Sequence, residues 1–313
     1  MSKVHEALRR AEITGVLPPP GPPPGPRSSV PPHQSGSYYR PSAIAAQTGP
    51  TMQEILSLVE EIPFQPLADA HLLDATRPSE APSEEFRTLR TRLNHLQSLS
   101  PIHNVVITSP SPAEGKSFTA VNLALAEAQL TNNLTVLADF DFRRPIVHSM
   151  FQIDRSPGIT DYLLGKAELH QVMKKIAGTN LYIMPAGEAV LNPLELLNLT
   201  EVRTLLDRLP TVFNWVILDT PPLLFAADAS LLSTLCHGTM LVVRIGTTTI
   251  DSVTRAMQSL CENNVLGIAV NGARRGELYS KYTYYHSYYY AAENAKGEAA
   301  AGGPGAEPPP PME

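Results

Sequence analysis

The segment from residue 104 to residue 126 places the strongest constraint on how this chain can fold. An apolar run at 104–108 reads as a buried strand, the loop SPSPAEGKS follows it, and residues 118–126 have helical character. In such a unit, the loop amides and the helix N-terminus surround an anion. A Gly-Lys-Ser sequence adds a lysine charge for the β- and γ-phosphates and a hydroxyl for Mg²⁺. The sequence therefore predicts an ATP-binding loop formed by Ala113, Glu114, Gly115, Lys116, Ser117 and Phe118, although Pro110 stands where a standard loop has glycine.

Carboxylates follow two further apolar strands. Asp139 and Asp141 stand at the end of the run TVLADFD, and Asp219 ends the run WVILD. The carboxyl ends of parallel strands form the ligand-binding edge of open α/β sheets. Carboxylates this close need a cation, and Mg²⁺ is the natural neutraliser. We therefore expect Mg²⁺ to be held by Ser117, Asp141 and Asp219, with Lys116, Asp139, Asp141 and Asp219 as the catalytic groups.

Short apolar runs alternate with helical stretches through the middle of the chain. The predicted strands lie at 104–108, 135–139, 182–185, 215–219, 240–243 and 267–271. Nearly continuous apolar runs are typical of strands buried on both faces, and helices between them imply parallel pairing. The sequence thus predicts an α/β fold, in which a mostly parallel central sheet is flanked by helices.

Composition divides the rest of the chain into segments. Residues 1–15 have apolar positions at helical spacing and are expected to form a short amphipathic helix that either docks or frays. Residues 16–79 read as a proline-rich, disordered linker with one more short helix within 51–62. The catalytic domain is placed at 80–278 and a tyrosine cluster at 279–290. Residues 291–313, rich in Ala, Gly, Pro and Glu, are expected to be a disordered tail.

Charge and cysteine content exclude several classes of protein. The 313 residues carry a formal net charge of −6, which gives no basic footprint for nucleic acid. The two cysteines imply no disulfide framework and fit a reducing cytosol. No run approaches the ~18 apolar residues of a membrane-spanning helix, and residues 1–15 do not resemble a signal peptide. We therefore expect a cytoplasmic protein.

At these motifs the chain resembles the bacterial tyrosine kinase family, the P-loop kinases of capsule and exopolysaccharide systems. The loop at 112–117 is similar to the family's Walker A motif, the segment 139–145 to its Walker A′ motif, and 219–222 to its Walker B motif. The resemblance covers roughly residues 80–290 and implies a P-loop NTPase fold of the MinD/ParA-like branch. Ala113 stands where the family usually has glycine, and His237 where it often has aspartate.

The resemblance also implies roles for single residues. Lys116 would contact the β- and γ-phosphates, and Asp139 would be the base that takes the tyrosine proton, although Asp139 and Asp141 could exchange roles. Asn271 resembles the adenine-reading residue of related P-loop ATPases. From the residues alone, Asn271 before Gly272 is equally an ordinary turn residue.

A cluster of tyrosines near the C-terminus points to the acceptor. Seven of the eleven tyrosines lie within residues 279–290, without the alternation or the Val, Ile and Leu content of a strand. Tyrosines on a mobile tail can reach an active site, and the resemblance implies that the tail of one subunit enters the site of its neighbour. The predicted phosphoacceptors are Tyr279, Tyr282, Tyr284, Tyr285, Tyr288, Tyr289 and Tyr290.

The resemblance further implies partners. Glu84, Arg87 and Arg90 match a family helix that builds a ring-shaped homo-oligomer, whereas their spacing alone reads as a weak set of charges within one helix. Family members of this kind use a transmembrane activator of the polysaccharide co-polymerase type, which recruits the kinase to the inner face of the membrane. A cognate tyrosine phosphatase would oppose the kinase.

Two other functions compete with an autokinase that regulates exopolysaccharide or capsule synthesis. A MinD/ParA-like ATPase switch would share the fold, but its loop carries a lysine where this chain has Ser111, and it lacks a terminal tyrosine cluster. A scaffold that binds nucleotide without catalysis is the third possibility, which Ala113 keeps open.

Overall fold

Eight strands form a single sheet in the part of the chain that the computed structural model describes, residues 50–66, 70–73, 83–260 and 265–273. The strands are β1 Glu60–Ile62, β2 Asn104–Thr108, β3 Thr135–Asp139, β4 Lys174–Ile176, β5 Leu181–Met184, β6 Trp215–Asp219, β7 Gly238–Arg244 and β8 Val265–Asn271. Their order across the sheet is β1-β4-β5-β3-β6-β2-β7-β8. The β4–β5 pair is antiparallel and every other pair is parallel, which confirms the predicted mostly parallel sheet.

Helices connect most of the strands. They are α1 Met52–Ser57, α2 Ser83–Leu99, α3 Lys116–Ala128, α4 Val147–Met150, α5 Ile159–Leu163, α6 Pro193–Leu197, α7 Thr200–Arg208, α8 Asp228–Leu235 and α9 Ile250–Ser259. A 3₁₀ turn at Leu209–Thr211 follows α7. Within the described ranges, none of the helices is both long and apolar enough to cross a membrane.

The centre of the sheet is buried on both faces. All residues of β2, β3 and β6 are buried, and two large apolar clusters cover the two faces of the sheet. Val106, Val136 and Leu218 point into one cluster, while Ile107, Leu137 and Ile217 point into the other. Each buried side chain of this size contributes about 1.5–3 kcal/mol to folding, so the three strands form a rigid platform.

The N-terminal boundary of the domain needs correction. The composition assigned residues 16–79 to a linker with one short helix within 51–62. Helix α1 confirms that helix, whereas β1, which pairs in parallel with β4, was not predicted. Met52 and Ile55 of α1 are buried in the core, so this segment belongs to the domain. Strand β4 was also missed. The predicted strands at 104–108, 135–139 and 215–219 have the observed bounds, whereas β5, β7 and β8 differ from prediction by one to a few residues.

The strand order brings the predicted motifs together. Strand β6 lies between β3 and β2, and Asp219 pairs with Asp139 on one side and with Ile107 on the other. The loop after β2 therefore emerges beside both carboxylate-bearing strand ends. Because all three strands run in the same direction, their carboxyl ends meet at one edge of the sheet.

Candidate nucleotide and phosphotransfer site

The phosphate-binding loop joins β2 to α3 and contains two residues with left-handed backbone. Gly115 is the N-cap of α3 with φ +94°, and a Cβ there would lie 1.9 Å from the side-chain nitrogen of Asn271. Ala113 has φ +62° although it carries a Cβ. Non-glycine residues pay roughly 1–2 kcal/mol for this conformation. The loop therefore needs glycine at 115 and holds alanine at 113 under strain.

Replacing Ala113 by glycine is expected to raise the free energy of unfolding by up to about 1 kcal/mol. Relief of the left-handed strain is partly offset by the greater freedom of glycine in the unfolded chain. Urea unfolding measures the change. Ala256→Gly is the control, because Ala256 lies inside α9, carries no such strain, and should lose stability on replacement by glycine. A loss of stability in both variants would contradict the strain at Ala113.

The Lys116 ammonium lies against the carboxylates at the strand ends. Its Nζ is 2.7 Å from Asp141 Oδ2, 3.4 Å from Asp219 Oδ1 and 3.1 Å from Ser117 Oγ. Burial alone would lower the pKa of Lys116, but the charges of Asp219 and Asp141 outweigh it and raise that pKa. The lysine is therefore a firmly held cation, positioned between the loop and the acidic groups.

Asp139 is fully buried and is held by the backbone. Its Oδ1 accepts the N–H of Asp141 at 3.1 Å and its Oδ2 accepts the N–H of Val147 at 3.1 Å. Burial, followed by the nearby charge of Asp219, raises the pKa of Asp139 well above its usual range. A carboxylate with a raised proton affinity is better suited to accept a proton than an ordinary one.

Asp219 offers a place for a cation or an ordered water. Its side chain is fully buried, burial raises its pKa, and its Oδ2 has no hydrogen-bond partner within the described residues. Such an orphaned buried oxygen is costly unless something binds to it. No group of three or more His, Cys, Asp or Glu in that part of the chain could hold a metal by itself. A P-loop site also takes phosphate and water ligands, so Ser117, Asp141 and Asp219 fit Mg²⁺ bound with a nucleotide.

The other predicted loop residues lie around this centre. Glu114 is buried, and the Asn271 side chain donates from Nδ2 to the Glu114 carbonyl at 3.1 Å. Asn271 therefore touches the loop backbone. Phe118, in the first turn of α3, packs edge-on against Phe86 of α2 with ring centroids 5.9 Å apart. The Phe118 side chain thus packs α3 against α2.

The predicted oligomerisation residues make contacts within their own subunit. Glu84 and Arg87 form an ion pair of 2.5 Å between neighbouring turns of α2. Arg90 donates from Nη1 to the Ala126 carbonyl at 2.8 Å, which ties α2 to the end of α3. The seven tyrosines at 279–290, the segment 1–15 and the tail 291–313 lie outside the described residues.

Sequence reasoning assigned no role to Arg143, which the structure shows at the rim of the site. Its Nε and Nη2 donate to the two carboxylate oxygens of Asp228 at 2.8 and 3.0 Å. Asp228 is fully buried at the start of α8, so the pair fastens the loop after β3 to that helix. A two-pronged arginine–carboxylate pair also fixes orientation. The only available signal was the position of Arg143 directly after the two aspartates.

Several known proteins have sequences similar to that of this chain. No protein-family model matches the chain. Tyrosine-protein kinase YwqD of Bacillus subtilis is 34% identical over 217 residues, which cover 69% of this chain and 91% of YwqD. Tyrosine-protein kinase Etk of Escherichia coli is 31% identical over 202 residues, which cover 64% of this chain but 28% of Etk. The chain thus spans nearly all of YwqD and under a third of Etk.

Solved structures agree with the sequence similarity. The chimerical protein CapA2B2 superposes with a TM-score of 0.61 and 28% identity, covering 69% of this chain and 94% of that protein. The kinase domain of E. coli Etk superposes with a TM-score of 0.60 and 29% identity, covering 72% of this chain and 95% of that domain. The likeness to YwqD extends over nearly the full length of that enzyme. This chain belongs to the family of bacterial tyrosine-protein kinases.

Proposed function

We propose that this chain is an ATP-dependent tyrosine autokinase that phosphorylates the tyrosine cluster of its own C-terminal segment. The observation that carries the proposal is the position of Lys116, which lies between the phosphate-binding loop and the carboxylates of Asp141 and Asp219. A hydrolase and a kinase share such a site. Family membership and seven clustered tyrosines favour transfer to tyrosine over hydrolysis.

Binding of ATP would rearrange the charges at the loop. The loop amides and the N-terminus of α3 would bind the phosphates, and Lys116 would turn from the carboxylates to the β- and γ-phosphates. Ser117, Asp141 and Asp219 would hold Mg²⁺, which supplies neutralisation of the phosphate charge when bound. Mg²⁺ would then replace Lys116 as the positive charge beside Asp141 and Asp219.

Asp139 is our candidate for the base. The phenolic oxygen of the acceptor tyrosine forms a bond to the γ-phosphorus, the bond to the leaving ADP breaks, and the phenolic proton passes to a carboxylate. The raised pKa of Asp139 supports this assignment. Asp141 is the alternative, because it lies on the same strand end and contacts Lys116.

The expected acceptors are the seven tyrosines between Tyr279 and Tyr290, presented by a neighbouring subunit. The described chain ends at residue 273, two residues after Asn271, which contacts the loop. The described part of the chain thus ends beside the nucleotide site. Ring assembly through Glu84, Arg87 and Arg90 would require α2 to exchange its present internal contacts for contacts with a neighbour.

The proposal extends to the cellular setting. A transmembrane activator of the co-polymerase type would recruit this cytoplasmic kinase to the inner face of the membrane, and a cognate phosphatase would remove the phosphates. The process controlled would be capsule or exopolysaccharide synthesis or export. Support for this setting comes from the family resemblance, and no nucleic-acid partner is proposed.

Incubation of the full chain with ATP and Mg²⁺ is expected to place phosphate on the clustered tyrosines, mapped by mass spectrometry. A dilution series tests the route, because transfer between subunits slows per molecule as the protein is diluted, whereas transfer within one subunit does not. The control replaces all seven tyrosines by phenylalanine and should retain nucleotide binding. ATP hydrolysis without phosphotyrosine, even with the activator present, would overturn the kinase assignment and favour a MinD/ParA-like switch.

A further inference from the structure

An unusual feature of the phosphate-binding loop is a buried carboxylate. Glu114 is 1% exposed and belongs to the same loop that must attract a polyanion. Its Oε2 accepts the N–H of Ser111 at 2.8 Å, and its Oε1 accepts the hydroxyl of Thr248 at 2.5 Å. A carboxylate that pointed toward the bound phosphates would repel them, so the orientation of the Glu114 side chain affects anion binding.

Thr248 is itself fixed by the end of β7. Its Oγ1 accepts the backbone N–H of Arg244 at 2.8 Å, which directs the hydroxyl proton toward Glu114. The Arg244 side chain donates from Nη1 to the Ala113 carbonyl at 3.1 Å, and Asn271 donates to the Glu114 carbonyl at 3.1 Å. Groups from the β7 and β8 ends of the sheet thus hold two consecutive loop residues.

These contacts meet the loop where it is most strained. Ala113 has a left-handed backbone, and Glu114 precedes the left-handed Gly115. A loop of this shape binds phosphate because its amides converge, and small movements of the loop lose that convergence. The contact with Thr248 also turns the Glu114 carboxylate toward β7. The loop shape and the direction of the Glu114 charge therefore depend on a residue 134 positions away in the sequence.

We infer that Thr248 is a positioning residue of the nucleotide site, which holds the Glu114 carboxylate and with it the loop in the phosphate-binding conformation. The inference rests on the proposed ATP site. Thr248 acts through Glu114, so removal of the hydroxyl leaves a buried carboxylate with one donor fewer. Hydrogen bonds to charged groups are stronger than those between neutral groups. The loss of one costs most when the charged group stays buried.

Thr248→Val removes the hydroxyl and keeps the shape of the side chain. We expect the Kd for ADP with Mg²⁺, measured by isothermal titration calorimetry on the full chain, to rise at least about tenfold. The KM for ATP should rise similarly, with a smaller change in kcat. Thr248→Ser should restore the wild-type values. The matched control is Thr254→Val on α9, since the Thr254 hydroxyl donates to Ile250 within that helix.

A double substitution separates positioning from a general structural effect. In a Glu114→Gln background the buried charge is gone, so adding Thr248→Val should raise the Kd by less than about twofold. Equal affinity of Thr248→Val and wild type, or an undiminished loss in the Glu114→Gln background, would overturn the inference. Failure of the wild-type chain to bind ADP would instead overturn the proposed function itself.

Discussion

Substitution of Lys116 by methionine is expected to abolish tyrosine phosphorylation and, independently, to destabilise the folded chain. The rate of transfer should fall by at least about 10³-fold, because catalysis of phosphoryl transfer depends on fixed positive charge at the phosphates. Quantitative mass spectrometry of the tail measures this loss. Retention of more than about a tenth of the wild-type rate would show that Lys116 is not the phosphate-binding lysine.

The stability effect has a separate cause. Lys116 forms ion pairs with both Asp141 and Asp219, and its Nζ is 2.7 Å from Asp141 Oδ2. Removing one partner from a buried ion pair typically costs about 3–5 kcal/mol. Without the lysine the pKa of Asp219, which burial already raises, should rise further. The deficit should therefore grow as the pH rises from acid to neutral, because the folded state then holds protons that the unfolded chain releases.

Urea unfolding at pH 5 and pH 8 tests this pattern. Lys166→Met is the matched control, since the Lys166–Glu188 pair has nearly the same length, 2.8 Å, but both side chains are more than half exposed. Solvent screens such a pair, so the control should change stability little at either pH. Equal losses in the two variants would show that the Lys116 contacts with the carboxylates do not stabilise the fold. Addition of Mg²⁺ should recover part of the stability lost in Lys116→Met and should not change the stability of the Lys166→Met control.

The positions of the candidate site residues in the fold were predictable because these residues stand at the ends of buried strands. Strands β2, β3 and β6 are apolar runs buried on both faces, and each run stops at a polar residue. The bounds of these strands and the positions of Asp139 and Asp219 therefore follow from the residues alone. Lys116 follows from the loop and helix beside it. Local pattern and tertiary structure agree at these positions.

Strands β1 and β4, at one side of the sheet, escaped prediction because charged residues begin both of them. β1 begins with Glu60 and Glu61, β4 begins with Lys174 and Lys175, and the two strands pair through ion contacts of 2.6 and 3.5 Å. Neither strand has an apolar run, and the pairing of β1 with β4 joins residues more than a hundred positions apart, although β4 also pairs with the nearby β5. A sequence window contains only one half of such a pair.

The contacts that support the site were hidden for the same reason. Arg143 and Asp228 are 85 positions apart, and Thr248 and Glu114 are 134 apart. Threonine and arginine at a strand end have many possible partners, and only the fold selects one. Sequence pattern therefore reveals the groups proposed to contact the nucleotide more readily than the groups that hold those in place.

The second large expected effect is a pH-dependent change in stability, and it arises from a buried carboxyl group at the C-terminal end of α3. Glu127 of α3 is fully buried, and its Oε2 accepts from Asn94 Nδ2 at 2.9 Å and from Asn133 Nδ2 at 2.8 Å. Its Oε1 has no hydrogen-bond partner among the described residues. Burial raises the pKa of Glu127 from 4.5 to about 7, against the opposing effects of Asn94 and the Arg90 charge.

This raised pKa makes stability depend on pH in a defined direction. Below about pH 4.5 the group is protonated in both states, and no penalty arises. Between that pH and about 7 the unfolded chain releases the proton while the folded chain keeps it, so stability falls as the pH rises. Above both pKa values the loss is complete, on the order of 3 kcal/mol at ~1.4 kcal/mol for each unit of pKa.

Glu127→Gln is expected to remove this loss. The amide can still accept from an asparagine and carries no charge to bury, so the variant should exceed the parent by about 1–3 kcal/mol at pH 8 and match it near pH 4.5. Asp139 and Asp219 also have raised pKa values, but they remain in both proteins, and the difference between variant and parent isolates Glu127. Glu168→Gln, at an exposed position, is the control and should follow the parent at every pH.

The measurement is urea unfolding of both variants from pH 4.5 to pH 8. A constant difference between Glu127→Gln and the parent across that range would contradict the raised pKa. The result also concerns α2, because Asn94 and Arg90 of that helix supply two of the groups that face Glu127. If ring assembly draws Arg90 toward a neighbouring subunit, Glu127 loses a compensating charge, and its ionised form becomes costlier. Assembly should then weaken as the pH rises through 7 in the parent and lose that dependence in Glu127→Gln.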